Sequence, residues 1–293
     1  MMVVAKKGIV TARIAPLYVR ADVDSSLADE VLHGMVVSVL EDGGEPFVRV
    51  RTHYGYEGYA RRCDFLLDDE RTAQWELVEK NTIFYAAVDV LNAPAIQASR
   101  IGLLTRGCRV IRLRDEPDGW ARVRLADGAI GFVRTKHTGK IVKKLTIQDL
   151  KNMHAAESQS FRQSLTETAM AYLHMETQYR WGGKSPEGID CSGLCSMVYM
   201  LNGVLIGRDA RMEEMFPVKQ LTDKPNAMLQ GDLLYFPGHI AMSLGGDRFI
   251  HSTARSDGVC INSLNRADAD FRGDLAESLV AVGRVFANYT HEV

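Results

Sequence analysis

The chain has few cysteines for its length and no sign that they are paired. Five occur in 293 residues, an odd number scattered along the sequence. They are Cys63, Cys108, Cys191, Cys195 and Cys260. A chain of this size can bury a core without covalent cross-links, so the cysteine content argues against a disulfide framework and favours a reducing compartment.

A strong charge of either sign and long apolar runs are also lacking. Lys and Arg number 35 against 37 Asp and Glu, a formal net charge of -2, so we expect no nucleic-acid partner. No run of about eighteen apolar residues occurs, and we expect no membrane partner. Residues 1–5 are too short for the apolar region of a signal peptide, and Lys6 and Lys7 follow them in the reverse of the secretory order. We therefore expect a cytoplasmic protein, or a secreted one if a leader has been removed.

An internal repeat is the first feature that the sequence does contain. The chain of 293 residues exceeds the usual size of one hydrophobic core, which predicts two or three domains. Shifting the chain by 73 positions, the separation of Gly34 and Gly107, places similar residues over one another. The matched pairs include Val37 with Val110, Leu40 with Leu113, Asp42 with Asp115, Phe47 with Trp120, Arg49 with Arg122, Val50 with Val123, Gly55 with Gly128 and Tyr59 with Phe132. Two copies of one small unit are therefore predicted.

Each copy has the pattern of short antiparallel strands. Apolar residues alternate, as at Val48 and Val50, between turn-prone stretches such as Asp42-Gly43-Gly44. The order of a glycine, a strand, an acidic turn, an aromatic-x-Arg-Val strand and a Gly-x-x-Gly-aromatic ending resembles the bacterial SH3 domain, a small β-barrel. The resemblance implies SH3-like domains over residues 8–68 and 80–140. A pair of generic β-barrels without a ligand is the alternative.

A third domain follows a linker. Residues 141–163 are predicted to form a helical linker, because the stretch from Thr146 to Gln163 is polar and contains no proline. Leu165, Ala169 and Tyr172 then recur at helical spacing. We therefore predict the third domain over residues 164–290.

Cys191 stands at the predicted start of a helix. The sequence from Tyr179 reads Tyr-Arg-Trp-Gly-Gly-Lys-Ser-Pro-Glu-Gly-Ile-Asp-Cys-Ser-Gly-Leu. Its glycines and proline force a loop, and Asp190 can then begin a helix whose apolar residues follow at three- and four-residue steps. Unpaired backbone N–H groups and the positive end of the helix dipole would stabilise a thiolate there, lower the pKa of the thiol and bind an oxyanion. Cys191 is therefore the candidate nucleophile.

Two histidines are candidates for the proton shuttle that a thiol nucleophile needs. His239 and His251 fall on two predicted strands joined by a glycine-rich turn. If the turn is the three residues Gly245, Gly246 and Asp247, the two histidines become diagonal neighbours on one sheet face, whereas a two-residue turn would separate them. The first register makes His239 the general base and acid, and His251 the residue that orients it.

These motifs together resemble the NlpC-type family of papain-like cysteine peptidases, over roughly residues 160–288. The motifs are Tyr-x-Trp-Gly-Gly, Asp-Cys-Ser-Gly-Leu, Gly-Asp-Leu, a strand-borne His239 and a later Ile-His. Members of this family have an α+β papain-like domain and hydrolyse peptidoglycan stem peptides. The resemblance therefore implies catalytic roles for three residues, namely Cys191 as nucleophile, His239 as base and His251 as third member. It also implies that four others surround the substrate, namely Tyr179, Trp181, Asp190 and Ser192.

The whole chain is similar to the subgroup of γ-D-glutamyl-L-diamino-acid endopeptidases, in which two SH3-like units precede the peptidase domain. In that subgroup the first unit walls the cleft and admits only short peptides that begin with a free L-Ala. The resemblance implies a muropeptide substrate, L-Ala-γ-D-Glu followed by meso-diaminopimelate or Lys, and a role in murein peptide recycling. It places Asp209, with Glu30 and Tyr56 of the first unit, near the substrate amine. The subgroup commonly has Ser where this chain has Ala210.

Three alternatives compete with this interpretation. Cys191, Cys195, His239 and His251 are suitable zinc ligands, but zinc cysteines usually come as paired short knuckles and this pair lies along a helix, so we expect neither a metal nor another cofactor. A non-catalytic cell-wall-binding module would have lost its nucleophile or base, and this chain retains both. A secreted cell-wall lytic peptidase is the closer alternative. We therefore expect a hydrolase, a thiol protease of peptidoglycan.

Overall fold

The structure is a computed structural model, and it describes residues 6–44, 46–212, 218–221 and 228–285, except for the side chains of Ile147 and Lys151. The chain forms two compact units. The first comprises the chain up to Ile141 together with Trp181–Pro186, and the second comprises Val142–Arg180 and the chain from Glu187 onwards. The predicted end of the third domain, residue 290, lies outside the described residues.

The first unit contains two antiparallel β-sheet domains of seven strands each. The first β domain consists of β1 (Lys7–Val10), β2 (Ile14–Tyr18), β3 (Leu27–Leu32), β4 (Val36–Glu41), β5 (Phe47–Thr52), β6 (Glu57–Arg61) and β7 (Phe65–Leu66). The second β domain consists of β8 (Asn81–Ile83), β9 (Val88–Leu91), β10 (Arg100–Leu104), β11 (Arg109–Glu116), β12 (Trp120–Arg124), β13 (Ile130–Arg134) and β14 (Thr138–Lys140).

The two sheets share one topology, which confirms the predicted repeat. The strand order is β3-β2-β6-β5-β4-β1-β7 in the first sheet and β10-β9-β13-β12-β11-β8-β14 in the second. The irregularities repeat as well, because the pairing of β4 with β5 shifts register around Leu40 and that of β11 with β12 around Leu113. Gly55 and Gly128, at matched turns, have φ angles of +89° and +96°, in the left-handed region that glycine tolerates best.

A short helix links the two β domains within the first unit. Helix α1 (Asp69–Leu77) begins after Asp68, whose side chain accepts a hydrogen bond from the Arg71 N–H at 2.9 Å. Its Trp75 indole N–H donates to the Gly34 carbonyl at 3.0 Å. The same ring belongs to a buried cluster with Ile9 of the first β domain and with Ile111 and Ala126 of the second. The two β domains therefore share an apolar seam.

His33 supplies a polar link across the same seam. Its ring is almost wholly buried, and its Nδ1–H donates to the Thr11 carbonyl at 2.8 Å. Its Nε2 accepts from the Ala126 N–H at 3.0 Å. Because the backbone N–H can only donate, the histidine must be neutral to make both bonds. Burial lowers the pKa of His33, in agreement with that requirement.

The second unit is an α+β domain. Its helices are α2 (Ile147–Asn152), α3 (Ala155–His174), α4 (Cys191–Leu201) and α5 (Gly273–Ser278). Helix α3 runs without interruption through residue 164, where the boundary between linker and third domain is predicted. Within the described residues no helix is both long enough and apolar enough to span a membrane. The architecture is the predicted one, two antiparallel β-sheet domains followed by an α+β domain.

The α+β domain is built on one antiparallel sheet. In chain order, β15 (Lys184–Ser185) belongs to the first unit, and the following strands belong to the second: β16 (Gly188–Ile189), β17 (Lys219–Gln220), β18 (Leu233–Phe236), β19 (His239–Gly245), β20 (Arg248–Thr253), β21 (Gly258–Ser263) and β22 (Ala281–Arg284). The order of the six-stranded sheet is β17-β22-β18-β19-β20-β21. Strands β18 to β20 carry Phe236, Ala241 and Phe249 into a buried apolar cluster.

The hairpin of β19 and β20 differs from the predicted one in its turn. Gly245 pairs with Arg248, so the loop contains two residues rather than the predicted three. However, Ser243 pairs with Phe249, and Leu244 is therefore an extra residue that forms a β-bulge. The bulge shifts the earlier part of β19 by one position. It restores the register in which His239 and His251 share one face of the sheet.

Candidate active site

Cys191 is the first residue of helix α4, as predicted, and Asp190 caps that helix. The Asp190 Oδ1 accepts from the Gly193 N–H at 2.5 Å. The helix is buried on all sides, with Leu194 and Met197 fully excluded from solvent. It packs against β19 and β20, the strands that carry His239 and His251. The capped helix and the sheet therefore hold the thiol and the two imidazoles on rigid elements.

The surroundings of the Cys191 thiol do not lower its pKa, contrary to the prediction. Burial and the charge of Asp190 raise the pKa of the thiol. Hydrogen bonds from the backbone N–H groups of Ile240 and Ser192, and the positive charge of Arg208, act in the opposite direction and are outweighed. The hydrogen bond from Ile240 also shows that the sulfur lies beside the first residues of β19. The thiol is therefore neutral in the resting protein.

The two predicted histidines are in direct contact. His239 Nε2 and His251 Nδ1 are 2.8 Å apart, the separation of a hydrogen bond. His251 is completely buried, and the Phe249 ring packs edge-on against it with ring centroids 5.0 Å apart. The Phe236 ring lies 5.9 Å from the His239 ring and 6.4 Å from the Phe249 ring by centroids. The rings can therefore adopt few orientations.

Both imidazoles are neutral near pH 7. Burial lowers the pKa of His239 to about 4, and the neighbouring His251 and Arg272 add to the effect. Burial likewise lowers the pKa of His251 to about 4, against a hydrogen bond from its ring to Asn262 that raises it. A neutral imidazole beside a neutral thiol can accept the proton of that thiol during the reaction. The arrangement is suited to nucleophilic catalysis by Cys191 with His239 as base.

Arg208 is a site residue that the sequence did not single out by itself. Its Nη1 and Nη2 each lie 3.1 Å from a different Asp190 carboxylate oxygen, and its Nη1 donates to Ser192 Oγ at 2.7 Å. The Arg208 and Asp190 side chains are almost completely buried. The described contacts thus give Asp190 and Ser192 a structural role at the start of α4. Their predicted contact with the substrate stays a prediction.

Three further residues that the sequence analysis placed near the substrate lie close in sequence to Asp190 or Arg208. Tyr179, in the second unit, is half-buried, and burial raises the pKa of its hydroxyl together with the nearby Cys191 and Asp190. Tyr179 therefore lies close to Cys191 and Asp190, and its predicted contact with the substrate stays a prediction. Asp209 follows Arg208 and is exposed to solvent. Trp181 belongs to the first unit and is 69% exposed, so it is not a packing residue of that unit.

Glu30, predicted to contact the substrate, lies in the first β domain on strand β3 and is buried. Its Oε2 accepts from the Lys184 backbone N–H at 2.8 Å. The Lys184 ammonium pairs with Asp29 at 3.1 Å and lies 3.8 Å from the centroid of the Tyr54 ring. These contacts fasten residues 181–186 to the first β domain. Sequence reasoning missed Lys184 and Asp29, and the adjacent carboxylates at 29 and 30 in a strand were the available signal.

Tyr56, the other residue predicted from the first β domain, follows the turn after β5. Its ring is half-buried, and its backbone N–H donates to Thr52 Oγ1 at 3.0 Å.

The zinc alternative involved Cys195, which is fully buried within helix α4. Among the residues that the structure describes, no three His, Cys, Asp or Glu side chains are grouped so as to hold a metal ion.

Comparisons with known proteins agree with this geometry. Residues 176–270 match the NlpC/P60 family. The chain is 40% identical over 281 residues to dipeptidyl-peptidase 6 of Lysinibacillus sphaericus, covering 95% of this chain and 99% of that protein. It is 30% identical over 117 residues to gamma-D-glutamyl-L-lysine dipeptidyl-peptidase of Bacillus subtilis (strain 168), covering 37% of this chain and 36% of that protein.

A solved structure extends the agreement to the fold. The crystal structure of an NlpC/P60 family protein from Bacillus cereus ATCC 10987 superimposes with a TM-score of 0.74 at 18% identity, covering 96% of this chain and 100% of that one. The chain belongs to the NlpC/P60 family and is a cysteine peptidase, homologous along nearly its whole length to dipeptidyl-peptidase 6. The family resemblance drawn from the sequence motifs is confirmed.

Proposed function

We propose that this peptidase hydrolyses the bond between γ-D-glutamate and an L-diamino acid in peptidoglycan stem peptides that begin with a free L-Ala. The observation that carries the proposal is the similarity to dipeptidyl-peptidase 6 over 95% of the chain. The partial similarity to an enzyme named for the γ-D-glutamyl-L-lysine bond supports the choice of bond. A dipeptidyl-peptidase, in the ordinary meaning of the term, releases two residues from the end of a chain. The peptide must then have a free end.

The chemistry follows from the neutral thiol and imidazole. His239 accepts the proton of Cys191 as the sulfur attacks the γ-glutamyl carbonyl carbon, and His251 stabilises the imidazolium that forms. The bond from that carbon to the diamino-acid nitrogen breaks, and His239 returns the proton to the leaving amine. Water then attacks the thioester while His239 takes one of its protons. The carbon–sulfur bond breaks, His239 returns its proton to the sulfur, and the carboxylic acid formed on L-Ala-γ-D-Glu loses its remaining proton to solvent.

The proposal also includes recognition of the free N-terminal amine of the peptide. A protonated amine removed from water is stabilised only if a carboxylate lies close to it. Asp209 and Glu30 are the proposed carboxylates, with Tyr56 as a further contact, and Tyr179 and Trp181 are proposed to border the peptide. Such specificity suits peptides already freed from the sugar chains, and hence cytoplasmic recycling of murein peptides. The preferred diamino acid is meso-diaminopimelate or L-Lys.

The test compares substrates that differ only at the amine. Wild type should cleave L-Ala-γ-D-Glu-meso-diaminopimelate with a much higher kcat/KM than its N-acetyl form, because acetylation removes the charge and adds volume. Asp209→Ala should reduce kcat/KM for the free peptide and thereby narrow the difference in kcat/KM between the free and the acetylated peptide. Asp89→Ala, which removes an exposed carboxylate from the second β domain, is the matched control and should change neither value.

Two outcomes would contradict the proposal. One is equal cleavage of the free and the acetylated peptide. The other is efficient solubilisation of purified, crosslinked sacculi, which a pocket closed beyond the first residue would not allow. The second outcome would favour a secreted cell-wall lytic peptidase.

A further inference from the structure

Asn262 lies behind the two histidines on the neighbouring strand. In the pairing of β20 with β21, His251 faces Cys260 and Phe249 faces Asn262, so Asn262 is diagonal to His251 on the same face. The Asn262 Oδ1 is 2.9 Å from His251 Nε2. We propose that Asn262 is a positioning residue that fixes the tautomers of both histidines, so that His239 presents an unprotonated Nδ1 to Cys191. The inference rests on the proposed roles of Cys191 and His239.

The orientation of the Asn262 amide is determined by its other partner. Its Nδ2 donates to the Asp270 backbone carbonyl at 3.0 Å. The same carbonyl accepts from the Ser263 N–H at 3.1 Å, which holds it in place beside β21. Because a carbonyl can only accept hydrogen bonds, the amide NH2 must face Asp270 and the amide oxygen must face His251. The amide oxygen can only accept, so His251 Nε2 must carry a hydrogen.

The hydrogen on His251 Nε2 determines where the other imidazole hydrogens of the two histidines lie. A neutral imidazole carries one N–H, so His251 Nδ1 is a lone-pair acceptor. The nitrogen 2.8 Å from it, His239 Nε2, must then be the donor. His239 Nδ1 is left without a hydrogen and can take the proton of Cys191. The low pKa values of both rings, about 4, support the neutral state that this reasoning requires.

Removal of the Asn262 oxygen would release this constraint. His251 could then place its hydrogen on Nδ1, facing His239 Nε2, and His239 would hold its own hydrogen on Nδ1. In that tautomer His239 cannot accept the thiol proton. Asn262→Leu keeps the approximate shape of the side chain and removes both polar groups, whereas Asn262→Asp keeps an acceptor and adds a negative charge.

Histidine tautomers can be observed without any substrate. We would record imidazole ¹⁵N–¹H spectra of the Cys191→Ala protein at pH 7, alone and with Asn262→Leu. The first protein should show His239 and His251 protonated at Nε2, and the second a mixture of tautomers at both rings. Asn265→Ala is the matched control, because Asn265 is exposed and its side-chain oxygen accepts from the nearby Ala267 N–H at 3.0 Å. Unchanged tautomers in the Asn262→Leu protein would overturn the inference.

Kinetics supply an independent readout in the protein that retains Cys191. Asn262→Leu should lower kcat about 10- to 100-fold with KM unchanged, the loss that outer hydrogen-bond partners of metal-bound histidines typically cause. Asn262→Asp should retain more activity and move the acidic limb of the kcat profile to higher pH, since a carboxylate favours the imidazolium. In a His251→Ala background, Asn262→Leu should cause no further loss.

If Asn262→Leu lowers kcat by the same factor in the His251→Ala background as in the wild-type protein, the inference is overturned, because Asn262 would then act independently of His251. Failure of the proposed function is a separate result. If wild type does not cleave the tripeptide, the proposed function fails, and the tautomer spectra still decide the role of Asn262. If wild type cleaves it and Cys191→Ala does not, the proposed function stands whatever the spectra show.

Discussion

At Cys191 the position in the helix and the burial of the side chain have opposite effects on the thiol. The helix N-terminus and the Ile240 N–H stabilise a thiolate, whereas burial and the Asp190 charge destabilise it and prevail. With the pKa of His239 at about 4, the base is also neutral at pH 7. The resting pair is therefore a thiol and an imidazole, and in the proposed mechanism their charges separate only when the substrate is attacked.

This resting state predicts the pH dependence of alkylation at Cys191. Because its pKa lies above the ordinary value, its rate of reaction with iodoacetamide should still be rising at a pH where an ordinary thiol has reached its maximum. A short unstructured peptide with a single cysteine, added to the same sample, reports the ordinary thiol. Peptide mass spectrometry measures both rates. A plateau for Cys191 that begins at acidic pH would instead indicate a preformed thiolate–imidazolium pair.

The buried pair of Arg208 and Asp190 predicts a large loss of stability on truncation. Arg208→Leu would leave the Asp190 carboxylate buried without its partner and should lower the free energy of unfolding by about 3 kcal/mol. Arg100→Leu is the matched control, because its pairing with Asp89 is solvent-exposed and should contribute less than about 1 kcal/mol. Urea unfolding followed by circular dichroism measures both. Equal losses in the two variants would show that the buried pair has no special role.

At the scale of elements, the β19–β20 hairpin brings the histidines together through its bulge. A regular two-residue hairpin would leave His239 and His251 on opposite faces, because side chains alternate along a strand. The extra residue Leu244 compensates by shifting the earlier half of β19. The contact of the two rings at 2.8 Å therefore depends on one inserted residue, Leu244, which lies five positions after His239 in the strand.

Deletion of Leu244 tests this dependence. Without the bulge the hairpin should close in a regular register that separates the two histidines, and kcat should fall at least about 100-fold, the typical contribution of general acid–base catalysis. Leu244→Ala keeps the residue count, and hence the bulge, so it should retain most of the activity. The imidazole spectra should show the His239–His251 hydrogen bond in Leu244→Ala and not in the deletion variant. Full activity after deletion would contradict the assigned register.

At the scale of the whole molecule, buried neutral histidines tie stability to pH. The pKa of His33 is lowered by burial, and those of His239 and His251 are lowered to about 4. An unfolded histidine titrates near 6.5, so between these values the unfolded chain binds more protons than the folded one. The free energy of unfolding should therefore be highest above about pH 6.5 and should fall as the pH is lowered towards about 4.

His33→Gln separates the contribution of the seam between the β domains from that of the active site. The variant lacks one buried titrating group, so its free energy of unfolding should fall less steeply between pH 6.5 and 4 than that of wild type. Exposed His174→Gln should keep the wild-type slope. Urea titrations at several pH values provide the slopes. If His33→Gln has the wild-type slope, His33 does not take part in the pH dependence.

The sequence predicted the parts of this molecule that local patterns encode. Matched residues such as Gly34 and Gly107 revealed the repeat, and Asp190-Cys191 marked the start of a helix. Contacts between distant segments were not predictable in this way, because neither alternation nor helical spacing specifies which partner a polar side chain will meet. The ion pair of Arg208 with Asp190 and the hydrogen bond of Asn262 with His251 are of this kind.

The hairpin turn shows the same limit more sharply. The sequence indicated that His239 and His251 share a face, and the structure agrees, but the reason is a bulge at Leu244 and not a three-residue loop. Glycines at 245 and 246 permit either turn, so the local sequence could not decide between them. Ile240 to Ser243 are buried on both faces of β19, so the alternation of apolar and polar residues could not decide the register either.

The most direct test of the account is the identity of the products released by wild type and by Cys191→Ala. Each protein would be incubated with L-Ala-γ-D-Glu-meso-diaminopimelate and with its L-Lys counterpart, and the products identified by liquid chromatography and mass spectrometry. We predict L-Ala-γ-D-Glu and the free diamino acid from wild type, and intact tripeptide from Cys191→Ala. Cleavage between L-Ala and D-Glu, or undiminished turnover by Cys191→Ala, would contradict the account.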